Sequence, residues 1–155
     1  MDWSIERGWK RGKMADAIRD ILTSTRRIAV VGLSHRPERP SYGVARFLIA
    51  RGFDVVGVNP GLAGQTVLGR PVVGTLADAG PLDMVDIFRA SDAAGAVVDE
   101  AVALGARTVW LQLGVRCPAA AARAAAAGLR VVMDRCPVIE WGRLGLPTWA
   151  SLEPE

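Results

Sequence analysis

The feature of this 155-residue chain that most constrains its fold is a repeated unit, in which a helix ends at a glycine and a short apolar strand follows. The unit recurs in ARGFDVVGV, ALGARTVWL and AAGLRVVM. Strands that alternate with helices in this way are joined by right-handed crossovers, which produce a parallel sheet with helices on both faces. The repeat therefore predicts an α/β fold, a Rossmann-like doubly wound parallel sheet.

Five apolar runs are the predicted main strands of this sheet. The first shows no alternation of polar and apolar residues, as expected of a strand that is buried on both faces. The runs are RIAVVGL, DVVGVNP, DMVDIFR, RTVWLQLG and LRVVMDRC. The turn-rich segment LAGQTVLGRPVVGTLADAG, between the second and third runs, is compatible with a short strand or a half-formed helix.

Four segments have the pattern of helices, and one of them precedes the first strand. The apolar stripe in KMADAIRDILTS predicts this extra N-terminal helix. Ser41 is the predicted N-cap of the second helix, and Ser91 or Asp92 that of the third. Pro118 lies in the first turn of the fourth predicted helix. The predicted C-terminal stops are Gly52, Gly105 and Gly128.

The composition is that of an ordinary globular protein, with 50% apolar and 23% charged residues. The length fits one domain over residues 1–155, with an N-terminal helical extension over 1–25 and a core over 26–144. No apolar run reaches membrane-spanning length, and the N-terminus lacks the apolar segment of a secretory signal. Two cysteines and one histidine provide neither a disulfide framework nor a metal set, so we expect a cytoplasmic protein without membrane contact.

The net charge of +3 is concentrated near the N-terminus. Residues 1–27 carry seven basic and four acidic side chains, and the rest of the chain is neutral. Nucleic-acid binding needs a broad basic face, so a neutral body argues against it. The basic segment is interpreted as a solvated helix surface or, with Trp3 and Trp9, as an interface with a protein partner or a second copy of the chain.

Ligands of an open parallel sheet bind beyond the carboxyl ends of its strands, so the loops there hold the candidate site. The loop after the first strand has one glycine, Gly32, and matches neither G-x-G-x-x-G nor G-x-x-x-x-G-K-[ST]. It continues through Leu33 and Ser34, carries Arg36 and Arg39, and leads into a helix. Arginines and a helix N-terminus both favour a phosphate, and the alternative is a plain basic connecting loop.

The second and third strand ends extend the candidate site. The second strand ends in Asn59 and Pro60, where a typical NAD site has an acidic residue on the ribose hydroxyls. An asparagine does not repel a phosphate on the ribose, which leaves NADP and coenzyme A as candidates. Phe88 and Arg89, after the third strand, are interpreted as an apolar wall and a second phosphate contact; the alternative for Arg89 is a surface arginine.

The fourth and fifth strand ends admit several interpretations. Gln112 and Gly114 come at the end of the fourth run. Gln112 is either a solvated strand end or a hydrogen-bonding group that faces the pocket. Asp134 and Arg135 are interpreted as a structural ion pair. Cys136 is either an inert buried residue or a thiol near the thiol of a ligand.

The sequence offers groups that bind and few groups that react. Neither cysteine has a histidine beside it, and no third group is evident that would orient His35, so a nucleophile–base pair is poorly supported. We therefore expect no catalytic residue, and a protein that binds, senses or carries its ligand. Two alternatives stay open. One is an NADP-dependent oxidoreductase, which Tyr42 fits poorly because no lysine follows Lys13. The other is an adaptor subunit with a vestigial nucleotide pocket.

Six stretches, in order, resemble the small stand-alone CoA-binding proteins of bacteria and archaea, relatives of the nucleotide-binding domain of the succinyl-CoA synthetase α subunit. The stretches are VVGLS, RPSYGVARFL, GVNPG, DMVDIFR, VWLQLGV and GLRVVMDRC, with IEWGRL closing. The resemblance implies a Rossmann-like fold that binds coenzyme A. The synthetase subunit has a phosphorylated histidine in a second domain that this sequence lacks, so synthetase activity is not implied.

The resemblance also implies how the strand ends share the ligand. The first loop lies against the CoA phosphates, and the second strand end flanks the nucleotide. The third strand end lines the pocket, and the fourth faces the pantetheine arm. The residues predicted to bind CoA or an acyl-CoA are Gly32, Leu33, Ser34, Arg36, Arg39, Asn59, Pro60, Phe88, Arg89, Gln112 and Gly114.

Overall fold

A computed structural model describes residues 11–147 of the chain, and the α-helices in that range number five. They are α1 (Arg11–Ser24), α2 (Pro40–Ala50), α3 (Ser91–Ala103), α4 (Pro118–Ala126) and α5 (Pro137–Arg143). Helices α1 to α4 confirm the four predicted helices. The interpretation of Trp3 and Trp9 as interface residues falls outside the described residues. Among the described helices, none combines the length and the apolar character that crossing a membrane requires.

The helix α5 was not predicted. It has seven residues, begins at a proline one residue beyond the last strand, and is too short to show a helical repeat of apolar residues. Its Trp141 is buried and makes edge-on ring contacts with Phe47 of α2 and with Phe53, at centroid distances of 5.9 and 6.0 Å. Aromatic packing against α2, on the same face of the sheet, therefore fixes the position of α5.

Seven strands form one sheet within the described residues, in the order β3-β4-β2-β1-β5-β6-β7. Every neighbouring pair is parallel except β3 and β4, which are antiparallel. The strands are β1 (Arg27–Val31), β2 (Asp54–Val58), β3 (Thr66–Val67), β4 (Arg70–Val73), β5 (Met84–Ile87), β6 (Thr108–Gln112) and β7 (Arg130–Arg135). The α/β prediction is confirmed, and the turn-rich segment adds two short strands, β3 and β4, to the five predicted main strands.

Helices cover both faces of the sheet, as the repeated unit predicts. The strand β1 shows the division, because Ala29 and Val31 face one apolar layer while Ile28 and Val30 face the other. The first layer contains the buried alanines and valines of α3 and α4. The second contains the buried side chains of α1, α2 and α5. The central strands β1, β2, β5 and β6 are therefore buried on both faces, which explains the lack of alternation in their sequences.

The predicted N-caps differ from the observed ones. The helix α2 begins at Pro40, so its N-cap is Arg39, and α3 begins at Ser91, with Ala90 as its N-cap. The serine hydroxyls instead accept hydrogen bonds from loop main chain, Ser41 from the loop before its own helix and Ser91 from the loop after β6. The Ser34 N–H donates to Ser41 Oγ at 3.0 Å. The Ser91 Oγ accepts a hydrogen bond at 2.9 Å from a main-chain N–H in the loop after β6.

The predicted helix ends are confirmed. The helix α4 begins at Pro118, which needs no hydrogen bond for its nitrogen in the first turn. Gly52, Gly105 and Gly128 follow helices α2, α3 and α4 with positive φ values of 92°, 78° and 93°. This left-handed conformation closes the last helical turn and suits glycine because it has no Cβ.

Candidate functional site

A cleft of about 810 Å³ lies at the carboxyl ends of the central strands. The chain crosses from β1 to β2 on one side, and the later strands β5, β6 and β7 lie on the other side of β1. The loops that leave β1 and β5 therefore diverge, and a crevice opens between them. The predicted site residues that line this cleft are Gly32, Ser34, Arg39, Phe88, Arg89 and Gln112.

The first loop passes very close to the main chain that leaves β5. Gly32 has φ 89°, and a Cβ at this position would lie 2.2 Å from the carbonyl oxygen of Phe88. The Phe88 N–H donates to the Val31 carbonyl at 2.9 Å, which keeps the two segments side by side. A glycine is therefore required where these two walls of the cleft meet.

One edge of the cleft is cationic. Arg39 is the N-cap of α2 and Arg89 follows β5, and both line the cleft. Within residues 11–147 neither guanidinium has an acidic partner within ion-pair distance. The partial positive charge of the α2 N-terminus adds to this edge. The arrangement suits a ligand group with negative charge.

The remainder of the cleft is largely apolar. Phe88 and Val44 contribute one part of the lining, and Leu113 and Val115 contribute another. The sequence reasoning missed the side chains from α2 and the loop after β6 because apolar residues there are indistinguishable from core residues. Leu113 is 57% exposed, so it lies at the surface of the cleft rather than in the core.

The helix α5 supplies a third group of lining residues. Val138 and Ile139 line the cleft, together with the thiol-bearing Cys136 that precedes the helix. No sequence signal pointed to the two aliphatic residues, because α5 itself was not predicted. Cys136 is an unpaired thiol that belongs to the buried apolar layer and also lines the cleft, so both interpretations of this residue stay predictions.

Five of the predicted binding residues do not line the cleft. The Leu33 side chain is buried in the core, where it covers the face of Gly57. Asn59 uses its amide within the protein, because Nδ2 donates to the Leu33 carbonyl and Oδ1 accepts from the Gly61 N–H, both at 2.9 Å. Pro60 begins a short 3-10 turn. Their contacts with a ligand stay predictions.

Arg36 and Gly114 are the other two residues in this group. Arg36 is exposed, and its main-chain N–H donates to Ser34 Oγ at 3.1 Å, which rigidifies the first loop. The Gly114 N–H donates to Asp134 Oδ1 at 2.8 Å, and φ at Gly114 is 86°. These geometries give both residues a role in loop conformation, and their predicted ligand contacts also stay predictions.

The predicted ion pair between Asp134 and Arg135 is wrong. Asp134 instead pairs with Arg116 at 3.2 Å, and Arg135 pairs with Glu140 at 3.0 Å. Asp134 is the extra residue of a bulge in β7 and has φ 61°, and its carboxylate bonds the loop after β6 instead of its chain neighbour. The hydrogen bond from the Gly114 N–H is the main reason why the pKa of Asp134 lies below its ordinary value, and Arg116 lowers it further.

Comparison with known proteins connects this geometry to a family. The family model described as a CoA binding domain matches residues 26–142. The chain belongs to this family. This result confirms the resemblance stated from the six sequence stretches, and the family match covers nearly the same residues as the resemblance.

The chain is similar to one curated protein and to several proteins of known structure. The uncharacterized protein YneT of Bacillus subtilis (strain 168) is 36% identical over 120 residues, which are 77% of this chain and 87% of YneT. The crystal structure of Prb, the PH1109 protein redesigned for binding, has a TM-score of 0.81 and 37% identity, with 90% and 96% of the two chains covered. The protein ID.343 from Thermus thermophilus has a TM-score of 0.79 and 37% identity, with 84% and 98% covered.

Proposed function

We propose that this protein binds coenzyme A or an acyl-CoA in the cleft at the carboxyl ends of its strands. The observation that carries the proposal is the edge formed by Arg39 and Arg89, two cleft-lining arginines without acidic partners. Membership in the CoA-binding domain family supports the choice of this ligand over other phosphorylated nucleotides.

The two parts of the cleft match the two parts of the ligand. The phosphates of CoA would lie at the cationic edge, where Arg39 and the α2 N-terminus stabilise negative charge. The pantetheine arm would lie along the apolar lining formed by Phe88, Leu113 and Val138. This orientation directs the thiol end toward the α5 side of the cleft, where Cys136 lies.

The proposed role is binding rather than catalysis. The polar side chains that line the cleft belong to serine, arginine, glutamine and cysteine residues, and none of the described lining residues is a carboxylate or a histidine. His35 is exposed and is not among them. A general base within hydrogen-bond reach of the ligand is needed for acid–base chemistry, so this lining supports a sensing or carrier function.

Thermal unfolding with different nucleotides tests the proposal. A ligand that binds only the folded state stabilises it by about 2.7 kcal/mol at a hundredfold excess over its dissociation constant. We expect CoA to raise the melting temperature, and NADPH and NAD to leave it unchanged. A rise with NADPH alone would instead indicate an oxidoreductase, and no rise with any of the three would indicate a vestigial pocket.

A substitution at the cationic edge tests the phosphate contact. A hydrogen bond to a charged group is worth about 1.5–3 kcal/mol, so we expect Arg39→Ala to weaken CoA binding by roughly tenfold to a hundredfold. Its effect on adenosine, which has no phosphate, is expected to be small. Arg46→Ala removes the same charge from an exposed position of α2 that does not line the cleft, and is the matched control. Equal losses for CoA and adenosine would remove the phosphate role of Arg39.

A further inference from the structure

Two buried side chains next to the cleft have hydrogen-bond acceptors without donors. Asp86, on β5, is 0% exposed, and both of its carboxyl oxygens are inaccessible and have no hydrogen-bond partner. Gln112, at the end of β6, is 6% exposed, and its Oε1 is also inaccessible and without a partner. A buried acceptor without a partner costs about 1–3 kcal/mol, so three of them in one region require an explanation.

The strand register shows that these two side chains are neighbours on one face of the sheet. Asp86 pairs with Trp110 across β5 and β6, and Gln112 is two residues after Trp110. Side chains two residues apart on a strand share a face, so Gln112 lies on the same face as Trp110. Met84 and Trp110 both belong to the layer of α1, α2 and α5, which assigns Asp86 and Gln112 to that layer.

A proton on Asp86 accounts for two of these three oxygens, because one carboxyl oxygen becomes a donor and Gln112 Oε1 becomes its acceptor. A carboxylate and an amide oxygen are both acceptors only, whereas a neutral carboxyl group has one O–H donor. Burial alone raises the pKa of Asp86 well above its ordinary value, because no neighbouring charge opposes the desolvation. A neutral Asp86 is therefore the state that this apolar environment favours.

We propose that Asp86 is a protonated carboxyl group that donates a hydrogen bond to Gln112 Oε1 and thereby holds the Gln112 amide with Nε2 turned toward the cleft. Gln112 lines the cleft, and Nε2 is not among its inaccessible atoms. Within residues 11–147 no protein acceptor takes a hydrogen bond from Nε2. Asp86 is in this view a positioning residue, and Gln112 is the group that contacts the ligand.

If the cleft binds its ligand as proposed above, Gln112 makes the cleft prefer a ligand group that accepts a hydrogen bond. With Oε1 occupied by Asp86, Gln112 presents an N–H donor, which selects a carbonyl oxygen of the ligand. An amide carbonyl of the pantetheine arm and the thioester carbonyl of an acyl-CoA both have this chemistry. If Asp86 were ionised, the amide would turn its Nε2 inward and present an acceptor to the cleft, which selects the opposite chemistry.

Infrared spectroscopy of the ligand-free protein tests the protonated carboxyl group. The difference spectrum of wild-type protein minus Asp86→Asn at neutral pH is expected to show a carboxylic-acid C=O band. In Gln112→Leu the band is expected to remain and to move to higher frequency, because its hydrogen-bond acceptor is gone. Absence of the band in the wild-type protein, or a band that Gln112→Leu does not move, would overturn the proposal.

A second measurement needs no variant. Carboxyl ¹³C NMR of the wild-type protein is expected to show one aspartate signal that titrates well above the ordinary aspartate pKa of about 3.9. Titration of every aspartate signal near or below that value would contradict a protonated Asp86. Neither spectroscopic result depends on CoA, so a failure of this proposal is distinguishable from a failure of CoA binding.

Binding measurements test the coupling between the two residues. We expect Asp86→Leu and Gln112→Leu each to weaken CoA binding by roughly three- to tenfold, the range expected for one neutral hydrogen bond. The double variant should bind CoA no more weakly than either single variant, because each of the two substitutions removes the same contact. Asp86→Asn is expected to restore binding, since its amide N–H also donates to Oε1. Additive losses, or no loss in Gln112→Leu, would contradict the coupling.

The same variants identify which carbonyl is bound. If Gln112→Leu weakens CoA and acetyl-CoA equally, the carbonyl belongs to the pantetheine arm. A larger loss for acetyl-CoA assigns the contact to the thioester, and both results support an N–H donor at Gln112. Unchanged affinity for both ligands would contradict it.

Discussion

At the scale of single residues, the closest main-chain approach in the site sets the strictest requirement on the sequence. Gly32 has positive φ and faces the Phe88 carbonyl, which is main chain and cannot rotate away as a side chain would. Gly57 is also crowded, but its nearest neighbour is the flexible end of the Leu33 side chain, at 2.5 Å from an added Cβ. The two glycines are therefore needed for different reasons, and Gly32 is the less replaceable.

Substitution of Gly32 is the first test at this scale. We expect Gly32→Ala to lower the free energy of unfolding by more than the 1–2 kcal/mol typical of a non-glycine residue in the left-handed region, because the added Cβ also displaces the Phe88 main chain. Gly64→Ala is the matched control, since Gly64 has φ 85° and no neighbour within 4 Å of an added Cβ. Chemical denaturation of both variants measures the difference. Equal losses would show that the Phe88 contact has no energetic cost.

At the scale of elements, polar side chains join the loops that follow neighbouring strands. Asn59 connects the end of β2 to the loop after β1 through its bond to Leu33, and its main-chain N–H donates to the Val73 carbonyl at 2.9 Å. Ser91 makes a similar connection between the segments that follow β5 and β6, whereas Ser41 holds the loop after β1 to the first turn of α2. These bonds fix the relative positions of the strand ends, so they determine the shape of the cleft without contributing to its surface.

Removal of the Asn59 amide tests this connection. We expect Asn59→Ala to cost about 1–3 kcal/mol of stability, the sum of two neutral hydrogen bonds. Gln65→Ala removes an exposed amide nearby, for which no hydrogen bond is described, and should change stability by less than about 0.5 kcal/mol. Urea denaturation of the two variants provides the comparison.

The CoA affinity of Asn59→Ala separately tests the nucleotide contact predicted from the resemblance. A variant that loses stability but keeps its CoA affinity would count against that contact.

At the scale of the whole molecule, three aspartates give the stability of the fold opposite dependences on pH. The Arg27 N–H, with that of Arg26, holds the pKa of Asp83 below its ordinary value, and Asp134 is similarly lowered by the Gly114 N–H. Their stabilising contribution is present at neutral pH and is lost as the pH falls through the lowered pKa values. Burial raises the pKa of Asp86, so the folded state retains a proton there that the unfolded chain has already released. The contribution of Asp86 therefore declines as the pH rises from about 4 toward its raised pKa.

The pH profile of stability tests the part due to Asp86. We expect the free energy of unfolding of the wild-type protein to rise with pH up to about pH 4. Above about pH 4 it is expected to decline, because the folded state keeps a proton on Asp86 that the unfolded chain has released. In Asp86→Asn the rise at acid pH is expected to remain and this decline to disappear, because asparagine does not titrate. Denaturation of both proteins across a pH series provides the measurement. Parallel profiles at all pH values would contradict a raised pKa at Asp86.

The sequence alone determined the architecture and the edge of the sheet at which the cleft lies. Apolar runs bounded by helix-ending glycines are local patterns, so they identified five strands, four helices and the coverage of both faces. The order of strand and loop along the chain also determined that Arg39 and Arg89 follow strands and that Gln112 lies at the end of one, and all three line the cleft. These predictions succeeded because each depends on a few consecutive residues and on the rule that parallel strands end at one edge.

Only the tertiary structure decided which distant groups meet. The short helix α5 has no sequence repeat of its own and is held by aromatic contacts with α2, so its part of the cleft could not be predicted. The partner of Asp134 is Arg116 because the loop after β6 lies beside β7, and Asp86 shares one face of the sheet with Gln112 because β5 lies beside β6. Strand order and register set these contacts between segments far apart in sequence. They result from the packing of the whole sheet, which no local pattern of residues specifies.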